Sequence, residues 1–142
     1  MTSRLDRDCF PEFYAIDTRW SDNDIYGHVN NVQYYSFFDS AVNRFLIEHG
    51  GLDIHNDQVV GFVVESKCQY FSPIAYPDTI EIGLSVTKLS NRSVTYQLGV
   101  FVKGKPDICA QGYFVHVFVD RATNQSVTIP QSIRLALANI QV

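Results

Sequence analysis

The sequence predicts an α+β domain in which an antiparallel sheet packs against one central helix. Three observations support this prediction. The chain has 142 residues, which suits one compact domain, so we expect residues 1–142 to form a single domain. One long stretch of helical spacing lies near its start, and a series of alternating stretches follows it. Hydrophobic residues make up 46% and charged residues 18%, an ordinary globular composition.

The first elements are a short strand and the long helix. Residues Phe13 to Arg19 alternate loosely and predict a strand, and a polar turn follows at Ser21 to Asp24. The helix is predicted from Asn31 to His49, because apolar residues recur there every three or four positions. Its periodic residues are Tyr34, Phe38, Ala41, Val42, Phe45 and Leu46.

The ends and the second side of this helix also carry signals. Asn30 or Asn31 can cap its start, because an Asn side-chain oxygen accepts a free amide of the first turn. Gly50-Gly51 is a strong stop signal. Phe37 and Ile47 lie on the other side, so we expect a sheet or a partner to cover the helix there.

Four strands and a short helix are predicted for the rest of the chain, in hairpin succession. The predicted strands are Val59–Phe71, Ile80–Thr87, Val94–Val102 and Ile108–Val119. The last strand is apolar on both faces, so we place it centrally in the sheet. Pro130 introduces a short C-terminal helix. Its apolar members are Ile133, Leu135, Leu137 and Ile140.

Charge, cysteine content and hydropathy narrow the class of protein. The net charge is −4 and the pI is about 5.4, so we expect no nucleic-acid partner. Cys9, Cys68 and Cys109 lack metal-ligand spacing, which indicates reduced thiols and no metal site. The first eight residues have no apolar core, and no apolar run is long enough to span a bilayer. We therefore expect a cytoplasmic protein with no membrane partner.

The candidate catalytic residues lie just before the predicted helix. Asp22, Asp24 and His28 fall within seven residues, and Gly27 precedes the histidine. Unpaired amides at a helix start can polarise a carbonyl, and an ionised carboxylate beside them can activate water or attack directly. Acids and amides before a helix are more often caps, and a lone histidine in a turn is more often structural. The residues alone leave both interpretations open.

The run from Trp20 to Tyr34 closely resembles the signature of the 4-hydroxybenzoyl-CoA thioesterase family, D-x-D-x-x-G followed by an Asn-containing stretch and Tyr. Its His-Val-Asn-Asn part is also similar to acyl-ACP thioesterases. The resemblance implies a hot-dog fold, with a five-stranded antiparallel sheet wrapped around one long central helix and a short C-terminal helix. It also implies hydrolysis of an acyl-CoA thioester.

The resemblance assigns roles to individual residues. It implies that Asp24 is the catalytic carboxylate and that Gly27 and His28 belong to the same reaction centre. Asn31 and Tyr34 match positions that line the substrate or hold the turn. The acyl-ACP enzymes carry Asn two residues before the histidine, where this sequence has Tyr26. That departure favours an Asp-centred scheme over an Asn-assisted one.

Other strands supply further candidates. Glu65 interrupts an apolar strand and is a possible second acid, with solvent exposure or pairing to Lys67 as the structural alternative. Arg92 and Ser93 lie at a predicted turn, where they can bind the phosphates of coenzyme A. Tyr35, Phe38 and Phe62 are possible walls of the acyl pocket and equally plausible as core residues.

The resemblance further implies that coenzyme A enters as part of the substrate, with no other cofactor, and that the chain forms a homodimer or homotetramer with its sites at the interface. Two other functions stay open on this fold: a non-hydrolytic acyl-CoA or lipid-binding module, and an acyl-ACP thioesterase. A dehydratase is disfavoured, because no His/acid pair stands out on the helix. The sequence does not fix the acyl group.

Overall fold

The structure is a computed structural model that describes residues 3–142. Met1 and Thr2, which belong to the stretch predicted to lack a leader's apolar core, lie outside the described residues. The helices and strands are β1 Glu12–Asp17, α1 Val32–Gly50, β2 Val59–Tyr70, β3 Thr79–Leu89, β4 Ser93–Val102, β5 Ile108–Asp120 and α2 Gln131–Asn139. Two short 3₁₀ helices are also present, at Arg7–Cys9 and Trp20–Asp22.

All five strands join one antiparallel sheet in the order β1-β3-β4-β5-β2. The predicted hairpins β3–β4 and β4–β5 are present, but the predicted hairpin succession from β2 to β3 is wrong. β2 instead pairs with β5 at the far edge, and the β2–β3 connection crosses the end of the sheet. Ile74 in that connection is 1% exposed, and its carbonyl accepts the amide of Val29. β5 is internal, as its apolar faces indicated, with β4 in the middle.

The long helix covers one face of the sheet, called the inner face below. Phe38, Val42 and Phe45 of α1 are fully buried in the same cluster as Leu84 and Leu98, which are paired in β3 and β4. Burial of such side chains is the main favourable contribution to folding, and truncating Phe38 to Ala is expected to cost about 3–5 kcal/mol. The arrangement is the hot-dog fold that the motif implied.

The two ends of α1 and the short helix agree closely with the sequence pattern. α1 ends at Gly50, and the amide of Gly51 donates to the carbonyl of Leu46. In α2, Ile133 and Leu137 are buried, whereas Leu135 points to solvent. No helix among residues 3–142 has the length and apolarity needed to cross a membrane.

A short N-terminal segment, residues 3–10, covers part of the outer face and is called the N-terminal strap. The side chain of Gln111 accepts the amide of Leu5 at 2.8 Å and donates to the carbonyl of Ser3 at 2.9 Å. The ring of Phe10 lies over two glycines, where an added Cβ would approach it to 2.6 Å at Gly83 and 2.8 Å at Gly99. The absence of side chains at both positions creates the space that Phe10 fills.

Antiparallel pairing sorts the loops to two ends of the sheet. The Asp24 end holds the β1–α1 loop, residues 18–31, together with loops 71–78 and 103–107. The far end holds loops 51–58, 90–92 and 121–130. β3 runs 11 residues between these ends, which corresponds to roughly 35 Å.

Candidate active site

Asp24 opens a tight turn that precedes α1. Its carbonyl accepts the amide of Gly27 at 3.0 Å, and its own amide donates to the carbonyl of His28 at 2.9 Å. The carboxylate folds back on the turn, with Oδ1 accepting the amide of Tyr26 at 2.8 Å. Among residues 3–142, Oδ2 of Asp24 makes no hydrogen bond. One oxygen therefore orients the group and the other stays free for a substrate or water.

Gly27 makes this turn possible. Its φ is 82°, a left-handed conformation in which a side chain strains the backbone. Nothing lies within 4 Å of the position that a Cβ would occupy, so the space above Gly27 is open. The next amide, that of His28, has no hydrogen-bond partner in the described part of the chain. A carbonyl oxygen can approach this amide without displacing an internal bond.

Asp22 is tied to Arg19 at the base of the loop. Oδ2 accepts the backbone amide of Arg19 at 2.8 Å, and Oδ1 accepts its Nη2 at 2.8 Å and its Nε at 3.1 Å. Burial alone raises the pKa of Asp22, but the hydrogen bonds and charge of Arg19 outweigh burial and hold that pKa below its usual value. Both carboxylate oxygens are thus committed to the turn.

The two asparagines before α1 have different contacts. Oδ1 of Asn30 accepts the amide of Val32 at 3.1 Å, so Asn30 provides the capping hydrogen bond. Asn31 makes no side-chain cap, and its carbonyl accepts the hydroxyl of Tyr70 at 3.4 Å. Asn31 also lines a cavity beside the helix start.

That cavity, called the site cavity, has a volume of about 290 Å³. Tyr34 and Tyr70 meet edge to face in its wall, with ring centroids 4.9 Å apart. Burial raises the pKa of the Tyr34 hydroxyl to about 12, so it stays a neutral donor at physiological pH. The other lining residues are Val29, Asn31, Phe71, Ser72 and Pro73.

The exposed tip of the loop carries His28 and two apolar residues. The side chain of His28 makes no hydrogen bond within residues 3–142 and faces solvent. Ile25 is 93% exposed and Tyr26 is 83% exposed on the same tip. The geometry leaves His28 able to meet a bound substrate but gives it no partner that fixes its tautomer.

Three predicted site residues lie elsewhere in the chain. Arg92 and Ser93 are at the far end of the sheet, where Nη1 of Arg92 donates to Oγ of Ser126 at 3.1 Å. Glu65 pairs with Val115 on the outer face, opposite α1, and its carboxylate accepts the hydroxyl of Tyr113 rather than pairing with Lys67. Within one chain, none of these residues meets Asp24.

The residues predicted as walls of the acyl pocket do not line the site cavity. Phe38 is fully buried in the core, Tyr35 stacks on Phe114, and Phe62 lies on the outer face of β2. Tyr70 and Phe71 were missed as wall residues. Their only sequence signal was an aromatic pair at the end of a predicted strand, directly before Ser72 and Pro73.

Comparison with known proteins adds to this geometry. Residues 18–137 match the family model of the thioesterase-like superfamily. The PA5185 protein from Pseudomonas aeruginosa is 55% identical, with a TM-score of 0.96 over 98% of this chain and 97% of that chain. A gentisyl-coenzyme A thioesterase, BH1999, is 25% identical, with a TM-score of 0.79 over 89% and 99% of the two chains. A 1,4-dihydroxy-2-naphthoyl-CoA thioesterase from Synechocystis shares the fold at 17% identity, with a TM-score of 0.81 over 90% and 96%.

Proposed function

The chain belongs to the thioesterase-like superfamily, and from that premise we propose that it hydrolyses acyl-CoA thioesters with Asp24 as the reactive carboxylate. The observation that carries the proposal is the arrangement of that carboxylate. Oδ1 is held by the amide of Tyr26, and Oδ2 is free within residues 3–142 beside the open space over Gly27. A fixed carboxylate with one free oxygen suits either proton abstraction or direct attack.

In the general-base route, Oδ2 of Asp24 takes a proton from water while the water oxygen attacks the thioester carbonyl carbon. The carbonyl oxygen becomes negatively charged in the tetrahedral intermediate. The free amide of His28 and the positive end of α1 are the groups placed to stabilise that charge. The C–S bond then breaks, and the thiolate leaves with its electron pair and takes up a proton.

In the nucleophilic route, Oδ2 attacks the carbonyl carbon and forms a mixed anhydride, which water hydrolyses. Both routes use the same two halves of the site. Turnover in H₂¹⁸O distinguishes them, because hydrolysis of an anhydride at its aspartyl carbon leaves ¹⁸O in Asp24. The peptide containing Asp24 then gains 2 Da by mass spectrometry, which the general-base route does not produce.

The function is tested by measuring free thiol release from a panel of aliphatic and aromatic acyl-CoA thioesters. We expect Asp24→Asn to lower kcat on every active substrate by about 10²–10⁴-fold. Asp8→Asn, an isosteric change at an exposed acid outside the site, is the matched control and should match the wild type. Equal activity of Asp24→Asn and the wild type would remove Asp24 from the reaction. Binding without turnover of any thioester would instead indicate a non-hydrolytic acyl-CoA module.

We also propose that the edge strand β2 pairs with a second copy of the chain. Residues 62–67 of β2 are exposed on both faces, and Val63 and Val64 are among its apolar members. The exposed Val32 and Tyr35 of α1 and Tyr70 of β2 extend the apolar area. Long apolar edge strands are templates for pairing, so a second copy that pairs β2 with β2 antiparallel is the occupant that this surface favours.

Such pairing also gives Arg92 and Ser93 a role. Antiparallel β2 strands place the far end of one subunit beside the Asp24 end of the other. This orientation brings Arg92 of the partner subunit toward the Asp24 end and makes it the candidate for the coenzyme A phosphates.

A further inference from the structure

A second cavity adjoins the site cavity at Ser72. It has a volume of about 440 Å³ and is lined by the N-terminal strap on one side and the β4–β5 hairpin on the other. Arg4 and Asp6 come from the strap, and Pro106 and Asp107 come from the hairpin. Ser72 lines both cavities. The two cavities therefore share a wall residue, and together they are called the trough below.

We propose that the thioester lies along this trough, with its acyl end at the site cavity beside the start of α1 and its amide- and hydroxyl-bearing pantetheine arm in the second cavity. The inference rests on the proposed thioesterase function. It assigns Arg4, Ser72 and Asp107 as arm-binding residues, which the motif did not point to.

The chemistry of the second cavity fits an uncharged polar arm. Arg4 brings hydrogen-bond donors, Asp6 and Asp107 bring acceptors, and the hydroxyl of Ser72 can do both. Two carboxylates against one guanidinium leave the cavity net negative, which disfavours a phosphate. The pantetheine arm of coenzyme A offers two amide N–H donors, two carbonyl acceptors and one hydroxyl group, so it can satisfy both kinds of group.

The walls of the second cavity are fixed before any ligand binds. The guanidinium of Arg4 lies over the ring of Phe71, 4.6 Å from its centroid. The amides of Phe71 and Ser72 both donate to the carbonyl of Cys109, at 2.8 and 3.2 Å. The hydroxyl of Ser72 makes no hydrogen bond in residues 3–142, which leaves it free at the junction of the two cavities. Such preorganisation lowers the entropic cost of ordering a flexible arm.

The first experiment measures binding without turnover. Uniformly ¹⁵N-labelled protein is titrated with pantetheine and, separately, with adenosine 3′,5′-bisphosphate. We expect pantetheine to shift the amide signals of residues 4–6, 72 and 107–108, and the nucleotide to leave them unchanged. Pantetheine shifts confined to other residues would overturn the inference. If no acyl-CoA is hydrolysed but these signals still shift, the proposed function fails and the arm site stands.

The second experiment compares kcat/KM for a pantetheine thioester and for the shorter N-acetylcysteamine thioester of the same acid. In the wild type we expect the longer arm to raise kcat/KM by about 10-fold or more. Ser72→Ala and Arg4→Met should each reduce this ratio by about 3–10-fold, because each variant affects the longer substrate more than the short one. Ser36→Ala, at an exposed serine on α1, is the matched control. An undiminished ratio in both variants, with unaltered thermal stability, would overturn the inference.

Discussion

The guanidinium of Arg19 holds the buried carboxylate of Asp22 through two bonds to Oδ1, at 2.8 Å from Nη2 and 3.1 Å from Nε. This pair forms the base of the loop that carries Asp24, because the carbonyl of Asp22 also accepts the amide of Asn30 at 2.8 Å. The stability of the loop therefore depends on an acid whose two carboxylate oxygens are both bonded to Arg19.

Asp22→Asn keeps the shape of the side chain but removes its charge. We expect a loss of about 2 kcal/mol, the scale of charge-assisted hydrogen bonds, and a fall in Tm of about 5 °C at pH 7. The pKa of Asp22 is lowered in the folded state, so its contribution is full above the unfolded value and disappears as the pH falls through the folded one. Thermal melts from pH 7 to 2.5 should show the two proteins converging only below about pH 4. A constant difference across that range would contradict the assignment.

Gly27→Val tests the open space over the turn. The side chain would strain the left-handed backbone and fill the space that a thioester carbonyl needs, so we expect kcat/KM to fall by about 10²-fold or more. Gly104→Val is the control, because Gly104 has a similar φ of 78° and equally open surroundings on the β4–β5 hairpin. Both variants should lose comparable stability, and only Gly27→Val should lose activity. Similar kinetics for the two would place the carbonyl elsewhere.

His116 makes the folding stability depend on pH in a higher pH range than Asp22 does. It lies on β5, is 2% exposed and packs against Gly61 of β2, and burial lowers its pKa to about 4. The unfolded chain binds this proton near pH 6.5, so the wild type should lose about 2 kcal/mol of stability between pH 7 and pH 5 through this residue alone. His116→Phe should lack that loss. The check is the difference between the curves of Tm against pH for the two proteins. Parallel curves would show that folding does not lower the pKa of His116.

Val64→Lys tests the proposed assembly through β2. Val64 is 60% exposed at the irregularity between Val63 and Glu65, and two lysines brought together across the paired edges would repel each other. We expect a shift from dimer to monomer by light scattering. Ile47→Lys, at a residue 44% exposed on α1, is the control and should leave the mass unchanged. A dimeric Val64→Lys would exclude β2 as the contact.

The periodic parts of the sequence predicted the structure well. The alternation of Ile80, Ile82 and Leu84 identified the buried face of β3, and the spacing from Tyr34 to Leu46 identified α1 to within one residue at each end. These patterns succeed because one face of each element is buried and the other is not. The order of the strands was harder to predict, because pairing of β2 with β5 depends on contacts between residues that are distant in the chain.

The candidate site was predicted only in part, because sequence patterns report local structure and not contacts between distant residues. The turn from Asp22 to Gly27 is local, so its residues could be named from the sequence. Tyr70 and Ser72 join it only because the β2–β3 connection passes the start of α1, which no local pattern records. The face on which Glu65 lies could not be read from the sequence, because the irregularity between Val63 and Glu65 changes the register of an otherwise alternating strand.

The size of the side chain at position 10 limits the size that positions 83 and 99 can accept. An added methyl group at either glycine would meet the Phe10 ring at 2.6 or 2.8 Å, and at Gly99 it would also meet Ile108 at 2.9 Å. These positions should therefore vary together among homologous chains, with alanine or serine at 83 or 99 accompanying a smaller residue at 10. A redesign that introduces β-branched residues into β3 or β4 to stiffen the sheet would have to replace Phe10 in the same step.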